Sequence, residues 1–98
     1  MEKENYEYNF ELTTLFNKTI DFRTAMKTLL PIFEQEDVLI TKGESDGVKR
    51  LAYEINGENY AHYLFFEIKL KDKSQATKLS QRLNVTDDVL RYLLVQCK

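Results

Sequence analysis

The chain has 98 residues, of which 43% are hydrophobic and 31% charged, and its formal net charge is −2. This length supports one small hydrophobic core and excludes a second domain, so we expect a single domain over residues 1–98. Three Gly and one Pro exclude a collagen-like or low-complexity chain. No apolar run approaches the roughly 18 residues that cross a bilayer.

The cysteine and histidine content argues against metal chemistry and disulfides. Cys97 is the single cysteine and His62 the single histidine, so no internal disulfide and no His/Cys metal cluster can form. The charged N-terminus has no apolar segment typical of a secretory signal. We therefore expect no metal and no cofactor, and a protein of the reducing cytoplasm.

Charge is unevenly distributed along the chain. Residues 1–37 contain four Lys or Arg and eight Asp or Glu, whereas residues 69–98 contain seven and three. The basic segment could meet a polyanion, and the acidic segment could face a basic protein or simply water.

The first third of the chain predicts a strand followed by a helix. Residues 5–12 alternate between apolar and polar side chains, as in a half-buried strand. Asp21 can cap a helix whose apolar residues recur at helical spacing. Pro31 removes a backbone donor within that pattern, so we expect a kink or an early end near Leu30.

The middle of the chain predicts strands and a hairpin. Residues 38–42 and 48–55 are typical of strands, and the polar residues 43–47 between them contain two glycines that permit a turn or bulge. Asn56-Gly57 predicts a tight hairpin turn, because both residues tolerate positive φ. The return strand, residues 60–70, carries aromatic side chains on both faces.

The last third predicts a second helix and a final strand. Asp72 can cap the helix with Gln75 reaching back, and the apolar stripe ends near Asn84. Residues 89–97 are rich in Leu and Val, as in a strand. The order is β-α-β-β-α-β, which predicts an α+β ferredoxin-like split sandwich: a four-stranded antiparallel sheet with two helices on one face.

The second face of such a sheet is left open. The alternation predicts that four apolar side chains are exposed on it in a free monomer: Tyr63, Phe65, Leu93 and Val95. Each exposed side chain of this kind forgoes roughly 1.5 to 3 kcal/mol of burial, so a covering partner is the simplest explanation.

One short motif carries more information than the rest. Lys49 and Arg50 begin a strand beside a glycine, and neighbouring strand residues point to opposite faces, so the pair can contact phosphates from both sides of a sheet edge. A charged edge that discourages aggregation is an equally good explanation.

The segment Gly-x-Lys-Arg-Leu-Ala-Tyr-x-Ile-Asn at 47–56 resembles the signature of the bacterial ribosomal protein S6 family. Residues 6–8, 61–64 and 83–91 are similar to further parts of that family.

This resemblance implies a structural component of the small ribosomal subunit that binds central-domain ribosomal RNA together with ribosomal protein S18. It implies that Lys49, Arg50 and Arg91 contact RNA, and charge alone adds Arg82. Ribosomal protein S18 is basic, and the resemblance also implies that it contacts four residues of the sheet: Glu7, Glu11, Tyr63 and Phe65. The chain departs from the family pattern at Glu54, where members usually have Pro, at Pro31, and in ending without a C-terminal extension.

Other functions of the same topology agree less well with the sequence. Cys97 has no base nearby in sequence, and His62 alternates with core positions, which favours a packed histidine over a general base. An acylphosphatase-like enzyme needs an Arg-bearing phosphate loop after the first strand, and residues 13–18 contain no Arg and no Gly. An RNA recognition module would stack bases on Tyr63 and Phe65, but the Glu67 carboxylate would repel the phosphate backbone of the RNA. The sequence does not exclude a dimeric small-molecule sensor of the same topology, and no motif in it favours one.

Overall fold

Six secondary-structure elements occur in the predicted order in this computed structural model, which describes residues 5–97. They are β1 (Tyr8–Asn17), α1 (Phe22–Gln35), β2 (Leu39–Ile55), β3 (Glu58–Leu70), α2 (Ser74–Asn84) and β4 (Val89–Gln96). The strands form one sheet in the order β2-β3-β1-β4, and every neighbouring pair is antiparallel. This confirms the ferredoxin-like prediction. Neither helix in residues 5–97 is long and apolar enough to cross a membrane.

The central strand β1 begins later and continues further than the sequence pattern predicted. Alternation predicted a strand over residues 5–12, whereas β1 starts at Tyr8 and ends at Asn17. The alternation of apolar and polar residues does not predict the extension, because Thr14, although polar, is fully buried and Leu15 is buried on the opposite face. Pairing with β3 and β4 on both sides supplies the hydrogen bonds that hold this segment extended.

The first helix starts as predicted, but the early end near Leu30 was wrong. Asp21 accepts a hydrogen bond from the Thr24 amide at 2.8 Å, which is an N-cap. The helix then continues through Pro31 to Gln35. Ile32 and Phe33, just after the proline, are buried, and this burial, roughly 1.5 to 3 kcal/mol for each side chain, offsets the approximately 3 kcal/mol that an interior proline costs.

The predicted interruption at residues 43–47 is a set of bulges within one strand. β2 extends over 17 residues, and its register against β3 shifts at three places. One shift lies between Ser45 and Gly47, where Gly47 takes a φ of +86°. The polar residues stay in the ladder because β2 is an edge strand whose side chains meet water. The hairpin at Asn56 and Gly57 is confirmed, with φ values of 50° and 81°.

The second helix begins with reciprocal hydrogen bonds of the predicted kind, although Lys73 rather than Asp72 directly precedes the helix. The Asp72 carboxylate accepts from the Ser74 amide at 2.9 Å, and the Gln75 side-chain oxygen accepts from the Asp72 amide at 2.7 Å. Gln75 also donates to the Glu36 carbonyl at 2.7 Å, which ties the start of α2 to the end of α1. The helix ends at Asn84, as predicted.

The main hydrophobic core lies between the sheet and the two helices. Its sheet side comes from alternate residues of β1 and β3, and an edge-to-face contact between Phe33 and Phe66, with ring centroids 5.5 Å apart, joins α1 to β3. The fully buried large side chains of this core are Leu12, Phe16, Leu29, Phe33, Leu64, Phe66, Ile68, Leu70, Leu79 and Leu83. The helices therefore cover most of one face of the sheet, although Val48 and Tyr60, towards its hairpin end, stay exposed.

Replacing Thr14 by valine is expected to stabilise the protein. The Thr14 hydroxyl is fully buried, and its oxygen has no hydrogen-bond partner among residues 5–97. Valine has nearly the same shape and removes the desolvation cost of that hydroxyl, so Thr14→Val should raise the free energy of unfolding by about 1 kcal/mol in urea titration. Thr13→Val, on the half-exposed opposite face, is the control and should change it by less than about 0.5 kcal/mol. A less stable Thr14→Val protein would show that the Thr14 hydroxyl has a hydrogen-bond partner after all.

The cap at Asp21 predicts a pH dependence of stability. Hydrogen bonds from the Thr24 amide and hydroxyl hold the pKa of Asp21 below its ordinary value of 3.8, and Arg23 adds to the effect. Because the folded-state pKa is the lower one, the stabilisation is complete above the unfolded value and is lost as pH falls through the folded value.

We therefore expect wild type to melt at a higher temperature than Asp21→Ala at pH 7, with the difference shrinking below about pH 4. Asp21→Asn keeps a capping oxygen without an ionisable group, so it should stay closer to wild type and lack this acid dependence. Melting followed by circular dichroism between pH 2 and 7 measures both effects. A difference that persists unchanged to pH 2 would show that the carboxylate charge is not involved.

Candidate nucleic-acid and partner interface

The helix-free side of the sheet, here called the open face, is organised in rows that cross β4, β1 and β3. Strand pairing fixes which residues share a row, because residues paired across antiparallel strands point to the same side. From the β2–β3 hairpin end, the rows are Arg91, Leu15 and Tyr63; then Leu93, Thr13 and Phe65; then Val95, Glu11 and Glu67. The open face thus brings together residues from both ends of the chain.

The exposed apolar area of the open face is centred on β4 rather than on β3. Tyr63 and Phe65, expected to be exposed, are only half-exposed. Leu51 is buried against Leu15 and Ala61, and Tyr63 packs on this small cluster, so the chain itself covers part of that end. The sequence did not reveal this cover because the register shifts of β2 decide where Leu51 lies.

The exposure predicted for β4 is confirmed. Leu93 is 62% exposed and Val95 45% exposed, and Arg91 in the same strand is also exposed. Leu93 lies in the middle row, directly beside Thr13 on β1. An aliphatic residue this exposed, halfway along an edge strand and beside the exposed Val95, is suited to a contact with another macromolecule.

Lys49 and Arg50 lie on opposite sides of the edge strand β2. Lys49 pairs with Ala61, and its ammonium lies 5.2 Å from the centroid of the Tyr63 ring, on the open face. Arg50 pairs with Tyr60 and therefore points to the other side. Both are exposed, which is the two-sided arrangement that the sequence predicted.

Arg91 joins Lys49 on the open face. Arg91 pairs with Leu15, which in turn pairs with Tyr63, so the two cations flank the Leu15–Tyr63 part of the first row. A further cation, Lys18, has its ammonium 5.8 Å from the Tyr60 ring centroid at the same end of the sheet. Sequence reasoning missed Lys18; the signal available was its position directly after the strand that pairs with residues 61–70.

The other predicted contacts lie in different surroundings. Arg82 donates to the Glu36 carboxylate at 3.1 Å and so bridges α2 to the end of α1, away from the open face. Its predicted role in RNA binding stays a prediction. Glu7 is exposed and precedes β1, so it lies outside the three rows.

Two carboxylates oppose each other at the end of the open face away from the hairpin. Glu11 on β1 pairs directly with Glu67 on β3, and Lys42 on β2 pairs with Glu67 from its other side. Like charges in directly opposed positions destabilise a sheet. Partial burial, and then the charge of Glu11 with its hydrogen bond and the charge of Glu67, raise the pKa of the Cys97 thiol above its ordinary value, so this thiol is protonated at neutral pH.

His62 is a packed histidine, as the sequence favoured. It is 7% exposed, and its Nδ1 lies 2.7 Å from the Ile20 carbonyl while its Nε2 lies 2.5 Å from the Ser45 hydroxyl. Because a carbonyl only accepts, Nδ1 carries a proton, and Nε2 shares a hydrogen bond with the Ser45 hydroxyl. The ring ties the β1–α1 connection to β2. No three His, Cys, Asp or Glu side chains in the described part of the chain come together in a way that could hold a metal ion.

These features define an α+β sandwich of the ferredoxin-like class whose free sheet face carries exposed apolar side chains and a basic end. Residues 6–96 match the model of the family described as ribosomal protein S6. Small ribosomal subunit protein bS6 of Desulforamulus reducens is 27% identical over 91 residues, covering 90% of this chain and 95% of the relative. The same protein of Carboxydothermus hydrogenoformans is 32% identical over 65 residues, covering 66% and 67%.

A solved structure shows the same fold. The crystal structure of 30S ribosomal protein S6 from Thermotoga maritima superposes with a TM-score of 0.79 at 18% identity, covering 92% of this chain and 87% of that one. The chain belongs to the ribosomal protein S6 family, whose members are structural proteins of the small ribosomal subunit. The resemblance in residues 47–56 is thereby confirmed.

Proposed function

We propose that this protein is a structural constituent of the small ribosomal subunit that binds ribosomal RNA at the hairpin end of its sheet and ribosomal protein S18 on its open face. The observation that carries the proposal is that Lys49 and Arg91, 42 positions apart in the chain and on the two edge strands, both lie on the open face towards its hairpin end, one row from the exposed Leu93 of β4.

The RNA contact is supported by the position of the cations. Lys49 and Arg91 point to the open face and Arg50 to the opposite side, so the hairpin end can meet phosphates on both sides. Phosphate contacts fix the position of a protein on RNA without reading sequence, which suits a structural role. Base stacking on Tyr63 and Phe65, as in an RNA recognition module, is less favourable because both rings are half-buried.

The protein contact is supported by apolar exposure and negative charge on one face. Leu93 and Val95 would be covered by a partner, with Phe65 beside them. Glu11 and Glu67 lie side by side on this face, and a basic chain that covers them gains complementary charge contacts. Glu7 extends the same negative charge beyond the strand.

RNA affinity should fall with salt, and the slope should report the individual cations. Neutral substitution of Lys49, Arg50 or Arg91 by Gln should each lower the slope of log K against log[salt] by about 0.7 to 0.9, since each removes roughly one phosphate contact. The measurement is a titration of the S6–S18 complex onto central-domain RNA between 50 and 300 mM salt.

Two further variants complete the titration series. Lys27→Gln, on the exposed side of α1, is the control and should leave the slope unchanged. Arg82→Gln tests the sequence-based assignment of Arg82, whose guanidinium is held by Glu36. Slopes that are equal in all variants would contradict the proposed RNA surface.

Association with S18 should depend on Leu93. Leu93→Glu places a charge in the exposed apolar part of β4, and we expect at least a tenfold loss of affinity, about 1.4 kcal/mol or more, in calorimetric titration against purified S18. Val85→Glu is the matched control, because Val85 is 77% exposed and lies just after α2, outside the open face. Equal affinity of the two variants would place S18 elsewhere on the protein.

A further inference from the structure

The helix side of the sheet carries a row of side chains at the hairpin end that holds one aromatic ring between two cations. Tyr60 on β3 pairs with Arg50 on β2, and both point to the helix side. Lys18 directly follows Asn17, the last residue of β1 that pairs with β3. The Lys18 ammonium lies 5.8 Å from the centroid of the Tyr60 ring. We call Lys18, Tyr60 and Arg50 the Tyr60 row.

The Tyr60 row is open to solvent. The Tyr60 side chain is 40% exposed, and Val48, in the next row of the same side, is 53% exposed. Lys18 and Arg50 are exposed as well. The first helix begins only at Phe22, so the helical layer stops short of this row. The ring and both cations are therefore accessible to a ligand.

This set of groups suits one unpaired nucleotide. An accessible aromatic ring stacks on a base, and cations on both sides of the ring bind the phosphates that flank this base. Neighbouring strands lie about 4.8 Å apart, so the strands on the two sides of β3 are separated by about 10 Å. The long side chains of Lys18 and Arg50 can thus reach phosphates on both sides of a base that lies on Tyr60. A base inside a duplex is already stacked and cannot lie on the ring.

The open face offers a less accessible ring for the same purpose. The Lys49 ammonium lies 5.2 Å from the centroid of the Tyr63 ring, which repeats the contact between Lys18 and Tyr60. Tyr63 is half-buried, however, and packs against the cluster that contains Leu51. Stacking needs a free ring, so Tyr60 is the better platform for a base.

Two carboxylates limit the site. Glu58 lies two residues before Tyr60 on β3 and therefore on the same side, one row nearer the tip of the hairpin. Asp21 lies at the start of α1, where the Thr24 amide donates to its carboxylate at 2.8 Å. Neither carboxylate belongs to the Tyr60 row. An RNA strand avoids both when it crosses the row from Lys18 to Arg50, which leaves room for one stacked nucleotide.

We infer that Tyr60 is a stacking platform for one unpaired nucleotide of RNA, with Lys18 and Arg50 on the phosphates at either side of the base. This inference rests on the proposed function, because it names the kind of RNA that the hairpin end binds, which is single-stranded. It gives Lys18 a phosphate contact and places part of the RNA contact on the helix side of the sheet.

Binding of a short RNA to the full chain tests the inference. The probe is a fluorescein-labelled twelve-nucleotide RNA of mixed sequence, used alone and annealed to its complement, and fluorescence anisotropy measures the affinity. Tyr60→Leu keeps an apolar side chain without a ring, so it should lower the affinity for the single strand at least fivefold and leave the affinity for the duplex unchanged. Tyr60→Phe keeps the ring and should bind as wild type does.

The dependence on salt separates stacking from charge. Lys18→Gln and Arg50→Gln should each lower the slope of log K against log[salt] for the single strand by about 0.7, whereas Tyr60→Leu should lower K and leave the slope unchanged. Tyr53→Leu is the matched control, because Tyr53 is 75% exposed on the same hairpin but lies outside the Tyr60 row. This variant should bind as wild type does. Circular dichroism verifies that each variant is folded.

The outcomes distinguish this inference from the proposed function. Equal single-strand affinity of Tyr60→Leu and wild type, an equal loss in Tyr60→Phe, an equal loss on the duplex, or a loss in Tyr53→Leu alone would each overturn the inference. A wild type that does not bind the single strand would also overturn it. If Tyr60→Leu behaves as expected here while no variant changes binding of the S6–S18 complex to central-domain RNA, the proposed function alone is wrong.

Discussion

The two-residue alternation of the paired central strands β1 and β3 is the constraint on which the rest of the structure depends. Phe10, Leu12 and Phe16 pair with Ile68, Phe66 and His62, and all of these face the helices, whereas the residues between them face away. A slip of one residue in this pairing would place Glu11 and Glu67 in the core and the phenylalanines in water. The strong preference for one register therefore also fixes the order of side chains on the open face.

The same register explains why the proposed binding residues are distant in sequence. Arg91 and Lys49 lie on the two edge strands, and they share a face only because β1 and β3 between them hold both edges at fixed positions. The helices bury most of one side, and the proposed contacts lie mainly on the other. In the proposal, stability and binding are thereby divided between the two faces of one sheet.

Much of the fold and part of the site could be predicted from the sequence. The element order, the Asp21 cap and the Asn56-Gly57 hairpin follow from local patterns, and the resemblance over residues 47–56 named the family before any coordinates did. The continuation of α1 through Pro31 could not be predicted, because it depends on burial of the turn that follows.

The misjudged parts of the open face have a common cause, which is long-range pairing. Leu51 covers part of the face near Tyr63 because β2 contains bulges, and the number of bulged residues is not encoded in a period of two. The opposition of Glu11 and Glu67 likewise becomes visible only when the register is known. The charge distribution along the chain showed an acidic segment over residues 1–37 and a basic segment over residues 69–98. It did not show that one face of the sheet carries both acidic and basic side chains.

The open face retains features that a protein selected for stability alone would lose. An exposed Leu93 gains little in the free chain, and Glu11 opposes Glu67, although Lys42 lies on the other side of Glu67; a polar residue at position 93 would remove the first disadvantage. Both features become favourable only when another surface covers them, because burial then rewards the leucine and cations neutralise the carboxylates. The unfavourable residues of the free protein are thus the physical argument that this face is made to be covered.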